Sequence, residues 1–202
     1  MKRSVIKSSV AAAMIAVAMI AAASCSSSKN TQTDTAVQKN DVQLYAEDPE
    51  AKSLRAWGCY NGFPMHNLEQ IAATEARAEL SRMVSALATS SVTKFVENKE
   101  CDRELTSDDL IAEKITLVSS NLLIGSRIVK SQRYSHADGT HTVYVCVEMA
   151  PAALAATLQK QEEIIELFND NEETAAQFKS DDFVETVDKC FDEFRAKKIA
   201  GE

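Results

Sequence analysis

The chain has 202 residues, 22 of them basic and 30 acidic, for a formal charge of −8. That balance excludes a nucleic-acid binder of the usual kind, since phosphate rewards Lys and Arg, and it gives no pull towards anionic lipid. Only five glycines and three prolines among 45% hydrophobic residues exclude a low-complexity chain and fit one folded domain with room for a helical appendage.

Met1-Lys2-Arg3 and Lys7 make a positive start, Val10 to Ala23 an apolar run, and Ala22-Ala23-Ser24 a group of small residues ahead of Cys25. The run falls short of the ~20 residues of a permanent membrane-crossing helix. A basic start, a short apolar core and small residues before a cut describe a cleavable export signal. Ala22-Ala23-Ser24-Cys25 resembles the lipobox of bacterial lipoproteins, with Ala22 in place of the usual leucine. The resemblance implies a signal peptide over 1–24 and lipid attachment at Cys25, by a diacylglycerol thioether and often an amide-linked acyl chain. An ordinary secretory signal with an incidental cysteine is the alternative. Each buried methylene contributes ~0.8 kcal/mol, so two chains hold a protein firmly. Loss of 1–24 removes three basic residues and no acidic one, so the lipid on Cys25 must do the anchoring. Ser26 to Asn30 lack the acidic residues in which surface-exported lipoproteins resemble one another. An outer-membrane anchor facing the periplasm is therefore expected.

Residues 25–50 read as a polar tether, with Thr31, Gln32, Thr33, Asp34 and Thr35 and no apolar period. Order is expected to begin between Val42 and Ser53. An α+β domain follows over 51–150. Ser53 to Tyr60 alternates as a strand, with Leu54, Ala56, Gly58 and Tyr60 on one face and Arg55, Trp57 and Cys59 on the other. Asn61-Gly62 and Pro64 then punctuate the chain. Asn67 to Glu97 predicts a long helix, with Asn67 and Gln70 spaced as a capping box. Leu68, Ala72, Ala76, Leu80, Val84, Leu87, Ser91 and Phe95 share its buried face. The small residues at its start would let it lie close against Ala56 and Gly58. After a charged connection holding Cys101, Thr106 to Asp109 start a second helix, with Thr106 as the cap and an Ile111, Ile115, Val118 and Leu122 stripe.

Leu123 to Ser135 and Thr140 to Met149 read as a hairpin around Asp138-Gly139, a strong two-residue turn signal. In the second strand Val143, Val145, Val147 and Met149 oppose Thr142, Tyr144, Cys146 and Glu148. The first strand is irregular enough to hold a bulge. A helical extension occupies 151–202. Pro151 opens a helix with a Leu154, Leu158, Ile165 and Phe168 stripe, broken at Asn169-Asp170-Asn171. Ser180 to Asp182 cap a last helix whose Phe183, Val187, Phe191 and Phe194 need a partner, either another part of the chain or a second molecule. The fold class is α+β: a small antiparallel sheet packed by a long helix, followed by C-terminal helices.

Four cysteines remain after Cys25, and an oxidising compartment permits bridges among them. Cys59 and Cys146 lie on the same sheet face and are a candidate disulfide if their Cα atoms come within ~7 Å. Free buried thiols are the alternative. His136 and His141 face one another if the hairpin loop has two residues, a candidate weak site for Zn²⁺ or Cu²⁺ that is two ligands short of a closed one. A three-residue loop would misalign them. Trp57, Arg55 and Tyr144 make an interaction patch unless the C-terminal helices cover it. Glu162-Glu163, Glu172-Glu173 and Asp181-Asp182 fit helix starts better than paired-acid catalysis. There is no Gly-x-Ser-x-Gly elbow, Walker loop or dinucleotide fingerprint.

Three runs carry a wider resemblance: Ile71-Ala72-Ala73-Thr74-Glu75-Ala76-Arg77-Ala78-Glu79-Leu80, then Ile124-Gly125-Ser126-Arg127-Ile128-Val129, then Asp138 to Val147. Over Leu54 to Pro151 the pattern resembles the small bacterial lipoprotein family that includes the twenty-kilodalton antigenic lipoprotein, and the N-terminal domain of an outer membrane flagellar assembly protein. The resemblance implies an envelope location, a helix on a small sheet, and no enzymatic activity, cofactor or transferable catalytic residue. The helices after Pro151 depart from it. The expected function is that of a non-enzymatic, membrane-anchored structural or assembly lipoprotein with an envelope protein partner, and with self-association through the Phe183/Phe191 stripe. The alternatives are a periplasmic ligand-binding lipoprotein and an envelope hydrolase.

Overall fold

A computed structural model describes residues 39–63, 66–99, 107–169 and 171–200. Cys25, Pro64, Cys101 and Thr106 lie outside the described residues. Ten helices and strands follow in order: α1 (Asp41–Ala46), β1 (Leu54–Gly62), α2 (Leu68–Asn98), α3 (Asp108–Val118), β2 (Arg127–Ser135), β3 (His141–Met149), α4 (Pro151–Leu158), α5 (Glu162–Ile165), α6 (Glu172–Phe178) and α7 (Asp181–Ala200). No described helix is long and apolar enough to cross a membrane.

The three strands form one antiparallel sheet in the order β1-β3-β2. The valine face of β3 decides what lies beneath it. Val143, Val145, Val147 and Met149 are buried with Leu54 and Ala56 against the small residues of α2. Gly58 shows how near the two layers are: a Cβ there would stand 2.5 Å from the Ala72 carbonyl oxygen and 2.5 Å from the Ala76 nitrogen. The expected close approach of an alanine-rich helix is thus realised at backbone level.

The far side of α2 is buried as well. Ala73, Ala88 and Val92 join the core, so the buried stripe is wider than the single face read from spacing. The C-terminal helices cover it. Phe95 stands at the centre of an aromatic cluster, 5.6 Å from Phe168, 5.8 Å from Phe178 and 5.5 Å from Phe183 between ring centres. Phe183, Val187 and Phe191 are buried inside the chain. The expected self-association through this stripe is therefore corrected, because its partner surface is α2. Residues 151–200 share the same core as the sheet instead of forming an extension.

Several local expectations change. One helix from Pro151 to Phe168 becomes α4, α5 and a 3-10 turn over Glu166–Phe168. The break shifts the helical phase, so Ile164 is buried where Ile165 was expected. Asn67 makes no side-chain cap to α2, whereas Asn40 and Gln43 form a complete capping box on α1. Ser107 caps α3 through Leu110 N–H. β1 runs through Asn61-Gly62 rather than turning there. β2 starts at Arg127, four residues later than expected, because Gly125 at φ 94° turns the chain first. The bulge falls at Val129, between Ile128 and Lys130.

Candidate functional site

The sheet face opposite α2 carries Arg55, Trp57 and Cys59 from β1 and Tyr144, Cys146 and Glu148 from β3, as the alternation requires. Its cover is α1, in place of the expected C-terminal helices. Val42 and Ala46 are buried on Cys146, with Tyr45, Trp57 and Tyr144 packed round them. α1 lies within the span expected to be tether, so residues from Asp41 belong to the folded part.

Tyr45 ties α1 to the sheet. The Arg55 guanidinium lies 4.0 Å from the centre of its ring, and the Lys130 ammonium 5.3 Å. Such contacts add to the packing of the ring itself. Arg55 also donates to the Tyr45 carbonyl oxygen at 3.2 Å, and Lys130 to that of Asp41 at 3.1 Å. The short helix is thus clasped at both ends by cations from the sheet.

Glu148 organises the charges. Register places it opposite Arg55 on one side and Arg127 on the other. Arg55 Nε donates to Oε2 at 3.2 Å, Ser53 Oγ to the same oxygen at 3.0 Å, and Arg127 Nη2 to Oε1 at 2.9 Å. Burial pushes the carboxyl up, but the bonds from Arg127, Ser53 and Arg55 together outweigh it and hold it below the usual carboxylate range. Both carboxylate oxygens of Glu148 are thus occupied, one by Arg127 and the other by Arg55 and Ser53.

The candidate disulfide is not made. Cys59 pairs with Tyr144 and Cys146 with Trp57, so the two cysteines are diagonal rather than opposite, and both are free thiols. Burial pushes the Cys146 thiol up to about 11, and burial followed by the Glu75 charge raises that of Cys59. Neither is a poised nucleophile. The candidate histidine pair is also corrected. The loop has three residues, with His136 N–H donating to the Thr140 carbonyl at 2.9 Å and Gly139 at φ 83°. His141 therefore faces Ser135, and the histidines fall on opposite sheet faces. His141 Nδ1 is 2.9 Å from Ser135 Oγ, and His136 Nε2 is 2.7 Å from Thr142 Oγ1. Among the described residues no three His, Cys, Asp or Glu side chains gather as a metal site.

What sequence reasoning missed is a cleft of about 730 Å³ along the outer edge of β1. One wall is Ala46 to Ala51, the other Met83 of α2 with Phe191, Phe194 and Lys198 of α7, and Arg55 and Trp57 lie on its floor. It falls within the size range of ligand sites, and apolar residues alternate in its lining with acids and bases, among them Glu47, Asp48, Glu75, Glu79, Arg82 and Arg195. Trp57 and Arg55 were legible as a patch. The walls were not, since they come from a helix inside the tether span and from the last helix. No protein-family model, curated protein or solved structure matches the chain.

Proposed function

We propose that the chain is a lipid-anchored, non-enzymatic lipoprotein of the bacterial envelope, with a structural or assembly role exercised through its α+β head. The observation that carries this reading is the order of Lys2-Arg3, the apolar run, Ala22-Ala23-Ser24 and Cys25, standing shortly before a fold that starts with α1 at Asp41. The strand, long helix and hairpin over Leu54 to Pro151 support kinship with the small lipoprotein family named above. The periplasmic side of the outer membrane is the location proposed, and an envelope protein the partner.

The cleft beside Arg55 and Trp57 favours a second reading, in which the same anchored head holds a small or peptidic ligand. Detergent-phase partition and intact-mass measurement after expression in a bacterial envelope test the anchor. The wild-type chain is expected in the detergent phase with the added mass of the acyl chains, and Cys25→Ser in the aqueous phase. A wild-type chain that stays aqueous and unmodified ends the lipoprotein reading.

A further inference from the structure

The floor of the cleft is a strand edge. Cys59 N–H donates to Glu75 Oε2 at 2.9 Å, so at Cys59 the backbone faces away from β3. Paired residues alternate between bonded and non-bonded along an antiparallel ladder. The register is unbroken, so Arg55 and Trp57 also turn their N–H and C=O groups outward, into the cleft. Among the described residues no group bonds to them there. Glu75 closes one edge donor, and those of the next two outward residues are left open. An extended chain laid along such an edge pairs with its open groups in alternation.

The two edges of this sheet are treated differently. β2 has the bulge at Val129, and Arg127, Lys130 and Arg133 along it, which are devices that blunt an edge. β1 is regular and uncharged except at Arg55, and it is walled on both sides instead. Side chains of an added strand would point alternately to Met83, Phe191 and Phe194 on one wall and to Ala46 and Pro49 on the other. The acids of the cleft are engaged: Glu47 with Lys39, Asp48 with Arg55, Glu79 with Arg82, and Glu75 with Cys59 N–H. Lys198, among the described residues, has no such ion pair. Arg195 stands beside it, paired with Asp192 at 3.8 Å, so Lys198 is the lining cation left without a carboxylate, in a lining whose acids and bases balance.

We infer that the β1 edge is a strand-addition site for an extended segment of a partner protein, apolar at alternate positions, which pairs with Arg55 and Trp57 and sets one carboxylate by Lys198. This deepens the binding role proposed above and rests on it for the partner's being an envelope protein. The test presents the full lipidated chain, in detergent micelles, with a displayed library of peptides in which apolar residues alternate with randomised ones. Selected peptides are expected to carry an acidic residue and to slow hydrogen exchange at the Arg55 and Trp57 amides, leaving the Ala56 and Gly58 amides as they were. Methylating alternate backbone nitrogens of a selected peptide should abolish binding. Lys198→Glu should weaken it roughly threefold to tenfold, with an unchanged urea midpoint.

Selection of no peptide, protection at other amides, or indifference to N-methylation overturns the site. Protection of Arg55 and Trp57 before any peptide is added also overturns the partner assignment. In that case, dependence on protein concentration identifies a second copy, and loss on deleting residues 26–38 identifies the chain's own tether. The anchor fails separately: a chain that is aqueous with or without Cys25 but still selects such peptides loses the lipid and keeps the edge site.

Discussion

Glu148 is the residue on which the non-helix face of the sheet turns. Its side chain is 12% exposed, as against 13% for Arg55 and 75% for Arg127, so the Arg55 pair is the sheltered one and the Arg127 pair is screened by water. Glu148→Gln leaves Arg55 facing a neutral group and is expected to cost about 2 kcal/mol at pH 7, read as a lower urea midpoint. The sign with pH follows from a carboxyl held low in the fold. Its stabilisation is complete above the unfolded value and lost as pH falls through the folded one. The gap between wild type and variant should therefore close as pH drops below about 4. A gap that persists at lower pH would mean that the variant acts through packing and not through charge. Cys146, by contrast, needs no charge at all; beside Val42 and Ala46 it behaves as a small apolar residue.

At the scale of elements, β1 and α2 meet at backbone distance at Gly58. Gly58→Ala drives a methyl into helix backbone that cannot rotate away, and ~3 kcal/mol of destabilisation is expected with little change in the denaturant slope. Gly139→Ala is the control. Nothing stands within 4 Å of its added Cβ, and only the positive φ is penalised, by ~1 kcal/mol. Equal losses at the two positions would refute the close-approach account. This contact was legible beforehand, because small residues at Ala72, Ala76, Ala56 and Gly58 can share one face for only a few reasons. Caps were less legible. Asn67 with Gln70 and Asn40 with Gln43 have the same spacing, yet only the second pair closes a box. Spacing records which bonds are available, and packing selects among them. The hairpin loop failed for a related reason. Asp138-Gly139 suits a two-residue turn, but Asp138 Oδ1 accepts from both Thr140 N–H and Thr140 Oγ1, which holds a three-residue loop and separates His136 from His141.

Among the described residues of the whole molecule, the larger apolar core runs from Leu54 on the sheet to Phe191 on α7, with α2 buried on two sides between them, and a smaller cluster lies under α1 on the other sheet face. The helices after Pro151 were expected as an extension whose aromatics need a partner, and local sequence could not say which. The partner is Phe95, more than fifty residues upstream. Phe95→Ala removes the hub of the aromatic cluster and should cost about 3–5 kcal/mol. Trp57 fluorescence reports the sheet, and far-UV circular dichroism reports chiefly the helices. In wild type and variant alike the two transitions should coincide, as they do for a single cooperative unit. Helices that melt ahead of the Trp57 signal would restore the extension as a separate body. The cleft belongs to this scale too, since its walls are joined only when α1 and α7 are both in place.

The clasp on α1 has a mechanical consequence. Tension arriving from the amino-terminal side would load α1, a six-residue helix and the first described element, at Asn40. That helix is held by Val42, Ala46, the Tyr45 ring and single bonds from Lys130 and Arg55. These contacts lie in sequence along α1, so a steady pull breaks them one after another, beginning at Asp41. The strands of the sheet, bonded side by side over their whole length, are loaded only afterwards. Under such a pull α1 is expected to yield before the sheet, uncovering Trp57 and one wall of the cleft.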